Sequence, residues 1–267
     1  MIRKLTKQDE ASVLDFLYEE PEINLYIIGD IKNFGFDQED QAIYAEFKDG
    51  DYYAVVSRNL SHIVYYAKEA TFNPMWVDIF NQFDYLFISG KAPLMKAIAP
   101  YFPDLWVDKL EFMKSTTFIK DDDISYDKIQ FLKNEKDAEK VYALLNQIDE
   151  LDSVTKKSKE EFITYLLDNS DDNGTTVFIE EDNQVIASAS AVGETKKTAM
   201  IVGVATHEDY RKQGLGKTVL HYLVDLYVNQ KKKTLCLYYD DKRAGALYEK
   251  LGFVPLDEWI MLIPKHD

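Results

Sequence analysis

The spacing of apolar and polar positions in the first half of the chain alternates between a period of two and a period near 3.6, which predicts short strands mixed with amphipathic helices. The Asp49-Gly50 pair between two such strands is typical of a tight hairpin turn. In chain order we expect a strand at 2–5, a helix capped by Thr6, a helix at 23–31, strands at 42–47, 52–57 and 63–67, a helix at 74–83, a strand at 85–89, a helix at 93–101 and a strand at 109–117.

The second half repeats this order of elements. Ser158-Lys-Glu-Glu161 fits the S-x-x-E capping box of a helix N-terminus. Gly203 lies inside an apolar run, and a glycine there indicates a bulge or a close backbone approach. We expect a strand at 129–132, a helix that begins near Asn134, a helix from Ser158 to about 167, strands at 175–180, 185–192 and 198–206, a helix after Gly216, a strand at 234–239, a helix at 243–251 and a strand at 253–263.

This internal repeat predicts two domains of the α/β class (α+β, with a mixed sheet). Each domain is expected to hold a mixed, mostly antiparallel sheet flanked by helices. The first domain spans residues 1–118 and the second spans residues 128–267. The acidic stretch at 119–127 has little apolar content and is predicted to be a linker.

Composition narrows the class of protein. The 267 residues carry a net charge of −16, which argues against nucleic-acid binding because that affinity needs a basic face. We expect no membrane span and no secretory signal, and hence a cytoplasmic protein. We also expect no metal site. The single cysteine, Cys236, excludes an intrachain disulfide. The acidity suits a cationic amine substrate or serves only solubility, and a homodimer is compatible with the sequence.

The stretch from Ile201 to Thr218 carries the clearest chemistry. A β-branched run leads through a polar loop to Gly214 and Gly216, which are expected to start a helix. The first N–H groups of a helix lack intrahelical partners and suit a phosphate. Basic side chains in and beside the loop strengthen this prediction of an anion site; they are Arg211, Lys212 and Lys217.

Two patterns fit this stretch. The nucleotide P-loop, G-x-x-x-x-G-K-[ST], requires a glycine where Arg211 stands, and an arginine does not share the conformational freedom of glycine. The second pattern, Arg211-x-x-Gly214-x-Gly216 directly after a strand, resembles the acetyl-CoA loop of the GNAT family of N-acetyltransferases. The run from Ala244 to Phe253 resembles the family's A-x-x-L-Y-x-x-x-G-F signature, and the repeated order of elements is similar to that of a GNAT domain.

The resemblance implies an acetyl-CoA-dependent N-acetyltransferase that passes an acetyl group directly to a primary amine of a small molecule or peptide in a ternary complex. It implies that Tyr248 protonates the leaving thiolate; the alternative is that Tyr248 only packs and orders the cofactor. Acetyl-CoA would be bound by Val204, Ala205, Thr206, Arg211, Lys212, Gln213, Gly214, Leu215, Gly216, Lys217 and Thr218. A non-catalytic CoA-binding or regulatory module is the rival function.

Other positions leave questions open. The general base is not identified: His207 could relay a proton near neutral pH, while Glu194 lies far upstream. His221 is expected on the polar side of its helix. Many relatives have Asn where this chain has Asp241. Residues 68–76 lack glycine, so the first half is expected not to bind CoA in this way; it could line the acceptor site or have a purely structural role.

Overall fold

The computed structural model describes residues 1–36, 38–148, 158–170 and 173–265. Most elements of the first half lie within a few residues of their predicted places. They are β1 (Ile2–Lys4), α1 (Glu10–Leu17), α2 (Leu25–Phe34), β2 (Gln41–Lys48), β3 (Asp51–Asn59), β4 (His62–Ala67), α3 (Met75–Phe80), β5 (Phe87–Lys91), α4 (Ala92–Ile98) and β6 (Leu105–Ser115). A short 3₁₀ turn, Lys7–Asp9, precedes α1, and its capping box joins Thr6 to Asp9.

The second half contains the predicted elements as well. They are β7 (Gln130–Phe131), α5 (Glu135–Leu145), α6 (Lys159–Asp168), β8 (Thr175–Glu181), β9 (Gln184–Val192), β10 (Thr198–Thr206), α7 (Leu215–Val224), β11 (Thr234–Tyr239), α8 (Lys242–Lys250) and β12 (Val254–Pro264). The predicted capping box of α6 is confirmed, because Ser158 Oγ accepts from Glu161 N and Glu161 Oε2 accepts from Ser158 N.

The chain forms two compact units. Unit 1 contains Met1–Phe112, Tyr238–Asp240 and Pro255–Asp267, and unit 2 contains Met113–Leu237 and Asp241–Val254. The predicted domain boundary at 119–127 follows sequence order, whereas these units follow spatial contacts. As a result, the C-terminal strand of the chain lies in unit 1, and the acidic stretch predicted as a linker lies in unit 2.

In unit 1 the strands run in the order β1-β2-β3-β4-β5-β12. The pairs are antiparallel except for β4 and β5, which are parallel. The last strand of the chain pairs with β5 from Trp259 opposite Lys91 to Leu262 opposite Ile88. Ile260 and Leu262 thereby join the buried core that Tyr65, Trp76 and Phe80 share. Unit 1 thus contains a mixed set of strands to which the last strand, β12, contributes.

In unit 2 the strands run in the order β11-β10-β9-β8-β7. The pairs are antiparallel from β7 to β10, and β10 is parallel to β11. Helices α5 and α6 pack their apolar residues with β8, β9 and β10 in one core; its members include Val141, Leu144, Phe162, Phe178 and Ala205. The fold class is therefore as predicted: each unit contains a mixed, mostly antiparallel set of strands flanked by helices.

Among the described residues, no helix combines the length and the apolar character that crossing a bilayer requires. The expected cytoplasmic location stays a prediction.

Candidate functional site

Strand β10 separates from β11 halfway along its length. The parallel pairing covers three residue pairs, from Thr198 opposite Thr234 to Met200 opposite Cys236. Beyond Met200, β10 continues to Thr206. The backbone edge of this second part is not paired with β11. An unpaired strand edge offers N–H and C=O groups to another extended chain.

The predicted bulge at Gly203 is confirmed. The pairing register between β10 and β9 shifts between Val202 and Ala205, and Gly203 adopts a φ of +61° that suits glycine. Ser188 Oγ donates to the carbonyl oxygen of Gly203 at 3.4 Å. The bulge therefore resets which backbone groups of β10 face the open edge.

After the bulge, the backbone groups alternate in direction. His207 N donates to Ile186 O at 2.9 Å, and Ala205 lies opposite Ser188 in the same register. In an antiparallel pair every second residue makes hydrogen bonds to its partner, so the N–H and C=O of Ala205 face β9. Those of Thr206, the next residue, face away from β9. The predicted cofactor contacts of Val204, Ala205 and Thr206 stay predictions.

The glycine loop begins where β10 ends. His207 caps a 3₁₀ turn, Glu208–Tyr210, through its Nδ1, which accepts from Asp209 N at 3.3 Å. A neutral imidazole in this arrangement carries its proton on Nε2. A proton relay would need Nδ1 of His207 as the base, and this nitrogen already accepts a hydrogen bond within the turn.

The loop ends at Gly214, which caps α7 with a φ of +82°. The first intrahelical hydrogen bond runs from Thr218 N to Gly214 O at 2.9 Å. The N–H groups of Leu215, Gly216 and Lys217 come before it and have no acceptor within the helix. Gly214 is exposed, and a Cβ placed on it would meet nothing within 4 Å. The helix therefore presents its first N–H groups beside an open space.

The end of β10 and the start of α7 lie against each other. A Cβ at Gly216 would lie 2.8 Å from Thr206 Oγ1, so a larger residue would collide with that side chain. Arg211 Nε donates to Thr206 O at 3.3 Å. Thr218 Oγ1 donates to Gly214 O at 3.2 Å. The structure thus brings together the predicted strand residues and the predicted loop residues.

The basic residues of the loop differ in their surroundings. Arg211 and Lys212 are exposed, as is Gln213, and Lys212 takes a positive φ of 65°, which sequence reasoning did not anticipate. Lys217 Nζ forms an ion pair with Asp121 Oδ2 at 2.6 Å. That hydrogen bond, with a second from Asp123 N, holds the pKa of Asp121 below its usual value. Nothing in the acidic run at 119–127 distinguishes Asp121 from its neighbours, so only the structure identifies this contact.

Tyr248 lies within α8, with 8% of its surface exposed. Asp241 caps this helix by accepting from Arg243 N at 2.8 Å. The ring of Tyr248 lies 6.0 Å from that of Phe253, and Phe253 N donates to Tyr248 O at 3.0 Å. These contacts fix the ring and the backbone of Tyr248. Its catalytic role stays a prediction.

Two further expectations change. The placement of His221 on the polar side of its helix is wrong: the residue is 3% exposed, because Tyr126 and the backbone of Ile119 satisfy its ring nitrogens. Glu194 receives hydrogen bonds from Lys231, Lys233 and Tyr227. Although burial raises it, these bonds hold the pKa of Glu194 below the usual value, which makes it a poor general base. No cluster of three potential metal ligands occurs in the described part of the chain.

Part of the chain is similar in sequence to a known protein family. Residues 138–253 match the sequence model of the acetyltransferase (GNAT) family. No curated protein matches the sequence.

Solved structures share the fold over nearly the whole chain. A GCN5-related N-acetyltransferase from Sphaerobacter thermophilus is 12% identical, with a TM-score of 0.66, over 98% of this chain and 94% of its own. A tandem GNAT protein from the clavulanic acid biosynthesis pathway is 11% identical, with a TM-score of 0.61, over 100% of this chain and 99% of its own. A GCN5-related N-acetyltransferase-like protein from Streptococcus suis is 15% identical, with a TM-score of 0.59, over 97% and 99%. Residues 138–253 are therefore similar to the acetyltransferase (GNAT) family, and the chain shares its fold with solved GNAT structures, one of which is a tandem GNAT protein.

Proposed function

We propose that this protein is an acetyl-CoA-dependent N-acetyltransferase that passes the acetyl group directly to a primary amine of a small molecule or peptide in a ternary complex. One observation carries the proposal: the open edge of β10 runs straight into an exposed glycine loop at the start of α7. A strand edge and a helix N-terminus in series match a long ligand with amide groups at one end and phosphates at the other.

The loop supplies the phosphate end of this site. The N–H groups of Leu215, Gly216 and Lys217 point along the start of α7, where the helix dipole favours a negative charge. Arg211 and Lys212 are exposed beside them and add positive charge. The open space at Gly214 leaves room for a pyrophosphate to approach the backbone. These residues fit the anionic part of CoA.

The second part of β10 supplies the other end. The amides of an extended ligand would lie along Val204 and Thr206, where the N–H of Thr206 faces away from β9 and can donate to the ligand. Acetyl-CoA would bring the thioester whose acyl carbon forms the new bond to the amine nitrogen. A backbone N–H of this edge can donate to the carbonyl oxygen as negative charge develops on it.

Tyr248 is the proposed acid. When the carbon–sulfur bond breaks, the leaving thiolate needs a proton, and the pKa of a phenol is close enough to that of a thiol for the phenol to supply it. The amine reaches the site mostly protonated, gives one proton to solvent before it attacks and loses a second as the amide forms, so that Tyr248 regains from solvent the proton that it gives to the thiolate. The acidic surface implied by the net charge of −16 favours the approach of such a cation.

We also propose that the first half of the chain, residues 1–118, is a degenerate GNAT-like domain without a CoA loop, and that residues 128–267 form the catalytic domain. In unit 1 the segment before α3 contains Asn73 and Pro74 where unit 2 has glycines. Glu46 accepts from Asn73 Nδ2 at 2.9 Å and from Trp76 Nε1 at 3.0 Å. This buried carboxylate fixes the segment against the core, and its negative charge disfavours a phosphate beside it.

The proposal is tested by binding and turnover together. Gly214→Ala places a side chain on a residue with a φ of +82°, which strains the loop, so we expect calorimetry to show at least tenfold weaker binding of acetyl-CoA. Gly50→Ala is the matched control, because Gly50 has a φ of +94° in the β2–β3 turn and a Cβ there also meets nothing within 4 Å. Equal affinity in wild type and Gly214→Ala would contradict the proposal.

Turnover separates the enzyme from its rival, a non-catalytic CoA-binding or regulatory module. The release of free CoA thiol from acetyl-CoA is followed across a panel of small amines and peptides with free amino groups. Amine-dependent release is the expected result. Tight binding of acetyl-CoA with no release on any amine would favour the binding module.

A further inference from the structure

The acidic stretch at 119–127, together with Phe118 just before it, packs along α7 within unit 2. Its backbone and side chains contact two residues of that helix, Lys217 and His221, which are four positions apart and so lie on one face. Lys217 is also the third residue of α7 and belongs to the proposed phosphate site. The stretch therefore borders the site for the acyl donor.

His221 anchors the stretch at two points. Its Nε2 lies 2.9 Å from Ile119 O, a group that can only accept, so Nε2 carries a proton and donates. Its Nδ1 then accepts from Tyr126 OH at 2.6 Å. The ring packs 5.0 Å from the ring of Phe118. With residues 119 and 126 held in this way, the chain between them is fixed along the helix.

Asp121 lies between these anchors, and its carboxylate is oriented. Oδ1 accepts from Asp123 N at 3.1 Å, and Oδ2 accepts from Lys217 Nζ at 2.6 Å. The side chains of Lys217 and Asp121 are 36% and 28% exposed, so a ligand at the surface can reach the pair. Side chains in a helix lean toward its N-terminus, which directs the ammonium of Lys217 to the side where the loop presents its N–H groups.

We propose that Asp121 is the counter-anion of Lys217 when no acyl donor is bound. A phosphate of the acyl donor then displaces Asp121 from Lys217. This inference rests on the proposed function. A carboxylate and a phosphate oxygen compete for the same ammonium, because each binds it through a charge-assisted hydrogen bond. Asp121 thereby weakens binding of the acyl donor. The affinity for the donor also depends on how the acidic stretch packs against α7.

The test measures CoA binding by calorimetry with Asp121→Asn, Lys217→Gln and the double variant. Removing the competing carboxylate should tighten CoA binding about fivefold at low salt, with the gain fading as salt screens the charges. Lys217→Gln should bind about fivefold more weakly than wild type, since one cation is lost. Asp121→Asn should then have no effect in the Lys217→Gln background, because the two residues act through one contact.

Asp122→Asn is the matched control. Asp122 is next in the chain, its side chain is 80% exposed, and it pairs with Lys120 instead of Lys217. The variant loses the same charge, so it should leave CoA affinity nearly unchanged. Unaltered or weaker binding in Asp121→Asn, or equal tightening in Asp122→Asn, would overturn the inference while leaving the proposed function standing. Absence of CoA binding by the wild-type protein would overturn both.

Discussion

Gly216 and Thr206 meet where β10 ends and α7 begins: a Cβ on Gly216 would lie 2.8 Å from Thr206 Oγ1. A contact this short forces one of the two groups to move. The glycine therefore lets the helix start close to the end of the strand. This places the first N–H groups of α7 next to the end of the open edge of β10. Two of the proposed contacts with acetyl-CoA depend on this single close approach.

Gly216→Ala should weaken acetyl-CoA binding about tenfold, because the added methyl group pushes the helix start away from Thr206, at a cost of about 1–3 kcal/mol. Thr206→Ala in the same chain removes the colliding oxygen and should restore most of the affinity, since the backbone N–H of residue 206 is retained. Calorimetry on the two single variants and the double variant measures this coupling. Additive losses would show that the contact does not set the geometry of the site.

Tyr248→Phe should lower kcat about a hundredfold and leave the KM for acetyl-CoA nearly unchanged, because the ring packing against Phe253 survives and only the proton donor is lost. The loss should shrink with an acyl donor whose thiol is more acidic, since such a leaving group needs less help from an acid. Tyr222→Phe is the control, as that half-buried ring packs against Tyr126 and Phe131. An unchanged kcat would mean that Tyr248 only packs.

Asp30 on α2 should make the stability of unit 1 depend on pH. Its carboxylate accepts from Ser57 Oγ and from Asn59 Nδ2, each at 2.6 Å, while burial raises the pKa of Asp30 to about 6. The folded state then holds a proton that the unfolded state has released above about pH 4, so folding loses stability as pH rises from 4 to 6.

Asp30→Asn removes this titration. Relative to wild type, the variant should gain about 2–3 kcal/mol in free energy of unfolding between pH 4 and pH 7, with no further change at higher pH. Urea denaturation at a series of pH values measures the difference. Asp104→Asn, an exposed carboxyl of the same unit, serves as the control and should show no such trend. A difference that stays flat over this range would contradict the prediction.

Local pattern was enough to predict most elements, because periodicity and capping act over a few residues. The bounds of β10 and β11 match the predicted ranges, and the capping box at Ser158 and the bulge at Gly203 occur as predicted. The same reasoning predicts an anion site in the loop after β10, because the first N–H groups of a helix lack intrahelical partners.

Contacts between residues distant in the chain were not predicted. The polar character of His221 predicts a place on the helix surface, yet Tyr126 and Ile119, about a hundred positions away, satisfy both of its ring nitrogens. Asp121 and Lys217 pair across a similar separation. No local pattern marks the one acid in a run of acids that lies against a particular lysine, because tertiary packing decides it.

The pairing of β12 with β5 makes the first half of the chain dependent on the last strand. The internal repeat predicts that residues 1–118 form a domain of their own. In the structure, Ile260 lies opposite Gly90 and Leu262 opposite Ile88, and both apolar residues are 1% exposed in the core of unit 1. Losing them removes about 3–6 kcal/mol of apolar burial, which is a large part of the stability of a typical domain.

A fragment of residues 1–118 should therefore be largely unfolded, and a peptide of residues 254–265 added in trans should restore its circular dichroism and a cooperative thermal transition. In the full chain, Ile260→Ala should cost about 2–4 kcal/mol in the free energy of unfolding, because it leaves a cavity in the core. Val254→Ala is the control, since Val254 begins the same strand but is 51% exposed, and it should cost far less. If the fragment folds cooperatively without the peptide, β12 is dispensable for unit 1, and the boundary drawn from the sequence repeat describes its folding better than the strand pairing does.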